Sequence, residues 1–550
     1  MWEKRKNYNT YIFSRIRVDN FVESNNSLNC FSFYAIKSLL RLSNARFVNS
    51  VETLFELYPN LLITMNKLAG LGTNFDNFLN ATNASNHTKA CEYAGGAKKE
   101  FIEKYESKFP HVDRHDSYFI DDLNFISYCS SFRRLQNKAQ VYSLEVSDFS
   151  RTRLSHSVEV SNLCDSICAK INFEKLYDLR NWKYIKNPHY TDDARLICRS
   201  AGLIHDIGNP PFGHFGEDVI KSYFTTYLND DLNEELKKDL CNFDGNAQSL
   251  RVVAKLQKHK KSNSLFLTSG VLGSIIKYPF SSLKAGDDCK FGYFLTEQKL
   301  AKSLEATGTY KESIRNPLVL ILEAADDICY LTSDLEDAIH KEIIGYDDFV
   351  QILDEDKNFF FSRINNYKNK IGKENFLDYM RSSIYKLREI LIKEVAEQFN
   401  KDSNLIFNIG VSYNYHLLDK INHSKLVDVL KDDILTKIYI SKKVTFNEIQ
   451  GYEILNSILK VYSECLDDAS IYYRKKEFKF ENKYYKKIFS LVSETFVENY
   501  FDSYFEMKKE GKYQKPELEK YLKCRMLIDF VSGMTDNYAK EVYSLCKSLK

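Results

Sequence analysis

AGLIHDIGNPPFGHFGE, residues Ala201–Glu217, is the stretch whose reading decides the fold. Leu196, Ile197, Ala201, Leu203 and Ile204 recur as the apolar face of a helix, and that run ends in His205 beside Asp206. Gly208, Asn209, Pro210 and Pro211 then stop the helix, because proline lacks the backbone donor and clashes with the preceding turn. Past the break come a second imidazole and a second carboxylate, His214 and Glu217. Burying a His-Asp pair at the end of an apolar helix is costly unless a counter-charge offsets it, and a bound metal ion does so.

Working outward, the 550-residue chain exceeds one ordinary core, so two or three cooperating subdomains are expected. A hydrophobic fraction of 44% with 28% charged residues excludes a disordered chain. Lys+Arg 77 against Asp+Glu 75 leaves a net charge of +2, so no global basic excess exists to hold duplex DNA. The start, residues 1–13, is charged where a signal peptide needs an apolar run. No apolar stretch approaches the ~20 residues of a membrane span. The 12 cysteines show no CxxC and no framework spacing, and Cys164 and Cys168 read as buried free thiols. A reduced, cytoplasmic protein with no membrane contact is the expectation.

Eight prolines and 20 glycines, with few alternating patterns, predict a mainly helical, all-α protein. Pro317–Ile339 is the plainest case, apolar at i, i+3 and i+4 with proline in its first turn. We divide the chain into an N-terminal helical extension (1–110), a core that holds nearly every motif (111–345) and a C-terminal helical region (346–550). The polar stretch 80–100 reads as a loop or linker. Lys255–Lys261 reads as a solvated charged face, and His259 and His340 as surface residues.

Three features belong together. His156 lies at the start of the helical segment RTRLSHSVEV (151–160), His205-Asp206 ends the next, and Asp326 sits mid-helix in LEAADDICY (322–330). Two imidazoles and two carboxylates suit a borderline-hard divalent ion such as Mn, Fe, Co, Ni or Mg better than a structural zinc. Neighbours on one helix point ~100° apart, so only one of Asp326 and Asp327 can face such an ion well.

The order H…HD…D resembles the HD-domain metal phosphohydrolases. The surrounding segments FRRLQNKAQVYSL (132–144), IHDIGNPPFGHFGE (204–217), NFDGNAQSLR (242–251), KYP (277–279), KFGYF (290–294), LEAADDICYLTSDLEDA (322–338) and CRMLIDFVSGMTDNYA (524–539) resemble one branch of it, the deoxyguanosine triphosphate triphosphohydrolases. They run in family order from about residue 115 to the C-terminus, whereas the first 110 residues match nothing in the family. The resemblance implies an HD-domain helical core and hydrolysis of a deoxynucleoside triphosphate, dGTP by preference, to the deoxynucleoside and intact triphosphate. It implies His156, His205, Asp206 and Asp326 as ligands of one divalent ion, Mn²⁺, Mg²⁺ or another first-row ion. His214 and Glu217 would be the catalytic pair, one turn apart. Arg153 and Lys277 would meet the phosphates, and Tyr330 would pack under the deoxyribose. Gln140 and Asp334 would sit near the 3′-hydroxyl, and Glu448 at the guanine edge. The C-terminal region would complete the nucleotide pocket. Between about Asp467 and Leu522 the family carries arginines near the phosphates, and here the chain departs from that pattern, with Arg474, Lys475, Lys476 and Lys483 as unaligned candidates. The resemblance also implies homo-oligomers and regulation by single-stranded DNA or a deoxynucleotide. Two other readings stand beside it: an HD-domain nucleotide or single-strand sensor without catalysis, and an HD nucleotidase of another substrate class.

Overall fold

The computed structural model describes residues 118–144, 150–173, 190–228, 232–258, 263–286, 290–345 and 376–548, all within one packed unit. The N-terminal extension, the 80–100 stretch, His259 and the start of the C-terminal region lie outside the described residues. The longer helices are α1 (Tyr118–Tyr128), α2 (Arg153–Cys168), α3 (Tyr190–Ile204), α4 (Gly213–Tyr227), α5 (Gly245–Lys255) and α6 (Pro317–His340). They continue with α7 (Phe376–Lys401), α8 (Ser424–Tyr439), α9 (Lys442–Asp468), α10 (Glu494–Glu510), α11 (Lys515–Ser532) and α12 (Asp536–Lys547). Among the described residues one antiparallel hairpin, β1 (Ser470–Tyr472) and β2 (Glu477–Lys479), pairs Ile471 with Phe478. The fold is all-α, as the sequence predicts. Among the described residues no helix is long and apolar enough to cross a membrane.

Local chemistry sets the ends of the helices that matter. Thr152 caps α2: its side chain accepts from Ser155 N, and the Ser155 hydroxyl answers at the Thr152 backbone N. Such a cap stabilises a helix by about 1 kcal/mol. Asn316 caps α6, with Pro317 in its first turn. Between α3 and α4 the chain turns through Phe212 (φ 63°) and Gly213 (φ 61°). A Cβ on Gly213 would meet Arg153 Nη2 at 2.8 Å, so glycine serves both the left-handed backbone and the close guanidinium.

Two packing units converge at that turn. In the first, α2 buries His156, Val160, Cys164, Ile167 and Cys168 against α3 and α6. A Cβ on Gly202 would lie 2.7 Å from Ser161 Cα, so small residues let α2 and α3 approach backbone to backbone. That approach brings the His156 and His205 rings to a centroid distance of 5.3 Å. In the second, Val219, Ile220 and Phe224 of α4 share one apolar core with Leu455 and Leu459 of α9, Phe501 and Tyr504 of α10, and Phe530 of α11. Each such side chain contributes about 1.5–3 kcal/mol when fully buried. The C-terminal helices are therefore continuous with the core around α4.

Buried ions lock α5 to α11. Arg251, 1% exposed, pairs with Asp529 at 2.7 Å and with Glu297 at 2.7 Å. Lys255 corrects the reading of its segment as a solvated face: it is 7% exposed, and its Nζ donates to Thr296 O at 2.5 Å. A helix-end lysine looks solvated in sequence, whereas here Glu297 and a carbonyl supply its partners. Lys258, farther along, is exposed and pairs with Glu498 at 3.0 Å. His340 is exposed, and Cys164 and Cys168 are buried free thiols.

Candidate active site

His205 sits just past α3, and its Nδ1 is 2.8 Å from Gly202 O. Donation to that carbonyl puts a ring proton on Nδ1 and makes Nε2 the nitrogen free to ligate, while burial is outweighed by the charges of Asp206 and Asp326, which raise the imidazole's pKa. Nε2 is buried without a hydrogen bond, 3.3 Å from Asp326 Oδ1 and 3.5 Å from Asp206 Oδ1. His156 Nε2 reaches the same Asp326 oxygen at 3.2 Å. Donor atoms of His156, His205 and Asp206 all lie within 4.8 Å of one another. Two imidazole nitrogens and two carboxylates converging on one space form a donor set that fits a divalent ion. Helix phase separates the two aspartates of α6: Asp326 faces the imidazoles, whereas Asp327 Oδ2 turns to Lys431 at 3.3 Å.

Each carboxylate in the set has its own cation. Asp206 pairs with Arg153 through Oδ2, and Asn209 Nδ2 donates to its Oδ1 at 2.7 Å. Burial raises the Asp206 pKa, but Arg153 and then the two histidines outweigh it and hold the carboxyl below its usual range. Asp326 Oδ2 takes Lys277 Nζ at 2.7 Å. There too burial is opposed, by Lys277 and His205, and the carboxyl is held well below its usual range.

His214 and Glu217 share the first turn of α4, with Nδ1 3.5 Å from Oε1. The His214 side chain is 77% exposed and that of Glu217 only 4%. Glu217's hydrogen bond and then its charge raise the imidazole's pKa. The Arg153 guanidinium spans from Asp206 to the backbone at Gly213, so it joins the ligand set to the residue before His214.

Tyr330 and Asp334 follow Asp326 along α6. The Tyr330 ring stacks on Tyr439 of α8, centroids 6.5 Å apart at 24°. Asp334 is 2% exposed with Oδ2 unpartnered, and burial pushes its carboxyl well above the usual range. Gln140 precedes α2 in a strand-like pairing, its N donating to Arg151 O at 3.4 Å, and its Oε1 is buried and unpartnered. Glu448 is half-buried on α9, where burial raises its carboxyl. Its neighbour Asn447 donates to Ser143 O at 2.6 Å, three residues beyond Gln140.

The HD domain family matches residues 153–274. The chain is 34% identical over 454 residues to a deoxyguanosinetriphosphate triphosphohydrolase-like protein of Listeria innocua, covering 79% of this chain and 94% of the relative. A Listeria monocytogenes protein of the same description shares the same identity and coverage. The deoxyguanosinetriphosphate triphosphohydrolase of Salmonella typhi is 28% identical over 483 residues, covering 77% and 92%. The chain belongs to the deoxyguanosinetriphosphate triphosphohydrolase family of HD-domain proteins. It is a phosphohydrolase, and its HD domain implies a divalent metal.

Within this phosphohydrolase, motif spacing did not single out several polar residues around the site. Lys290 lies 3.7 Å from Asp244, and its charge acts on both His214 and Glu217. Lys138, 3% exposed, donates to Asn209 O at 2.5 Å and Ser532 O at 2.8 Å. Asp536 accepts from Ala139 N at 3.0 Å and Phe212 N at 3.2 Å. All lie in family-like segments, but a lysine or aspartate that serves backbone groups has no spacing signature. The tail cations Arg474 and Lys475 are exposed at the β1–β2 turn, and Lys476 pairs with Asp502.

Proposed function

We propose that this enzyme hydrolyses dGTP to deoxyguanosine and inorganic triphosphate. The observation that carries the reading is a set of buried polar atoms without hydrogen-bond partners: Gln140 Oε1, Arg153 Nε, His205 Nε2 and Asp334 Oδ2. Buried polar atoms are normally satisfied, so four unmet ones on residues of one constellation match a polar ligand. His156, His205, Asp206 and Asp326 would hold a divalent ion, Mn²⁺ or Mg²⁺, which when bound polarises the phosphoryl group.

The chain's own residues supply the rest. Arg153 and Lys277 neutralise phosphate oxygens, since a triphosphate's charge requires fixed cations. His214, kept protonated by Glu217, delivers a proton to the departing 5′-oxygen of the sugar while water attacks the α-phosphorus. Tyr330 lies against the deoxyribose face, Asp334 and Gln140 meet the 3′-hydroxyl, and Glu448 accepts from the guanine N1–H and 2-amino group. Residues 346–550 complete the pocket around the 111–345 core. Control of deoxynucleotide pools in the cytoplasm, by an oligomer responsive to nucleotide or single-stranded DNA, belongs to the same reading through the family.

The test is product analysis of the purified protein with Mn²⁺ and each of the four dNTPs and GTP. Deoxyguanosine plus intact triphosphate from dGTP is the expected result. A nucleoside monophosphate product would instead favour an HD nucleotidase of another class.

A further inference from the structure

Behind the ligand set, α2 and α6 meet in a second polar layer. Glu159 lies one turn beyond His156 on α2, and Cys329 one turn beyond Asp326 on α6, with Ser333 one turn further. His156 Nδ1 lies 3.4 Å from Cys329 Sγ. The same thiol donates to Glu159 Oε2 at 3.4 Å, and Ser333 Oγ donates to that oxygen at 2.8 Å. Arg151 Nε holds the other Glu159 oxygen at 3.2 Å, and Arg388 Nη2 donates to Ser333 Oγ at 2.9 Å. Cys329 itself is fully buried.

The direction of these bonds follows from what each group can do. An ionised carboxylate only accepts, so the S–H of Cys329 points at Glu159 and a sulfur lone pair is left toward His156. With a cation at the site, His156 must offer its Nε2 lone pair to it, so the ring proton lies on Nδ1 and is donated to the Cys329 sulfur. His205 reaches the same tautomer by a different anchor, the Gly202 carbonyl. Partners of the non-ligating ring nitrogen fix ring orientation and tautomer, and their loss weakens metal binding.

We propose that Cys329, oriented by Glu159, is the positioning residue that holds His156 as an Nε2 ligand. The inference rests on the reading of His156 as a ligand of a divalent ion. It assigns a thiol, otherwise one more buried core cysteine, to the support of the metal site.

The experiment uses the full chain and its Cys329→Val, Cys329→Ser and Glu159→Gln variants, stripped of metal and titrated calorimetrically with Mn²⁺. Valine fills the space but cannot accept, and is expected to weaken Mn²⁺ binding about 10- to 100-fold. Serine keeps an acceptor and a donor and should stay close to the parent. Long-range ¹H–¹⁵N NMR of protein loaded with diamagnetic Mg²⁺ should show the His156 Nδ1–H resonance displaced by its hydrogen bond to sulfur in the parent and not in the valine variant. A purely structural role for Cys329 would not move that signal. If the valine variant does not fold, Glu159→Gln should still weaken Mn²⁺ binding. Parent-like Mn²⁺ affinity in the folded valine variant, or in Glu159→Gln where valine does not fold, overturns the inference alone. A parent chain that binds no Mn²⁺ overturns the metal reading and this inference with it.

Discussion

Lys277 Nζ lies 2.7 Å from Asp326 Oδ2, the carboxylate oxygen opposite the one that faces His156 and His205. Asp326 thus offers one oxygen to the imidazoles and the other to a lysine. Arg315, fully buried, holds the lysine's own carbonyl at 3.1 Å and pairs with Glu323, one turn before Asp326. Arg153 and Asp206 repeat the arrangement on α2 and the loop after α3. The two proposed phosphate contacts are therefore also the groups that keep two half-buried carboxylates ionised.

Lys277→Met should be destabilising, because it leaves the half-buried Asp326 without its nearest cation. Breaking a fully buried pair costs about 3–5 kcal/mol, and this half-buried one should cost less. A divalent ion would replace the missing charge, so Mn²⁺ should raise the unfolding temperature of the variant more than that of the parent. Thermal unfolding with chelator and with Mn²⁺ measures the difference. Equal increments in both proteins would remove Lys277 from the electrostatics of the metal site.

Asp206→Ala deletes one carboxylate of the set and unpairs Arg153. We expect Mn²⁺ binding and turnover to be lost while the far-UV helical signal persists, with a lower unfolding temperature from the unpaired guanidinium. Calorimetry and circular dichroism check the two halves separately. Full activity in this variant would contradict the ligand assignment.

Much of this site was legible in the chain because its chemistry is carried by motifs with fixed helical phase. His205-Asp206 at a helix end, His214 and Glu217 one turn apart, and Asp326, Tyr330 and Asp334 on one stripe all follow from the 3.6-residue period. The choice of Asp326 over Asp327 was not legible from spacing; it depends on α8, whose Lys431 takes Asp327. Lys255 was misread because burial of a lysine depends on distant partners, here Thr296 and Glu297. Lys138 and Asp536 escaped for a related reason: what they bind is backbone, and backbone groups look alike in every sequence.

Tyr330→Ala should relax sugar selection. The ring is backed by Tyr439 and stands one turn from Asp334, where a 2′-hydroxyl would press on it. The ratio of kcat/KM for GTP over dGTP should rise in the variant. An unchanged ratio would deny Tyr330 a part in telling the sugars apart.

His214→Ala should lower kcat by about 10²- to 10⁴-fold, the range of general acid catalysis. Glu217→Gln probes the same proton more finely. Glu217 raises the His214 pKa above the ordinary 6.5, so its neutral substitute lets the imidazole lose its proton at lower pH. For an acid that must be protonated, the alkaline limb of kcat/KM then moves to lower pH. A pH–rate profile with an unmoved alkaline limb would rule against His214 as the acid.

Lys138 connects the site to the stability of the whole fold. Its Nζ meets two carbonyls, those of Asn209 and Ser532, and a neutral amine has two N–H donors to give them. Burial, helped by Arg134 and opposed by Asp536, brings its pKa down from 10.5 to about 7. Between those values the unfolded chain holds a proton that the folded chain has released, so stability should rise with pH from about 7 toward 10.5. Below about 7 both states are protonated, and this contribution no longer changes. Lys138→Met removes the titration, so the stability advantage of the parent over the variant should widen as pH climbs. Denaturant unfolding of both proteins at pH 7, 8, 9 and 10 measures it; a constant difference would sink the assignment. The same variant frees the Asn209 carbonyl, while the Asn209 amide still holds Asp206 at 2.7 Å. Turnover should therefore fall together with stability, because this amine ties the loop that presents Asp206 to α11.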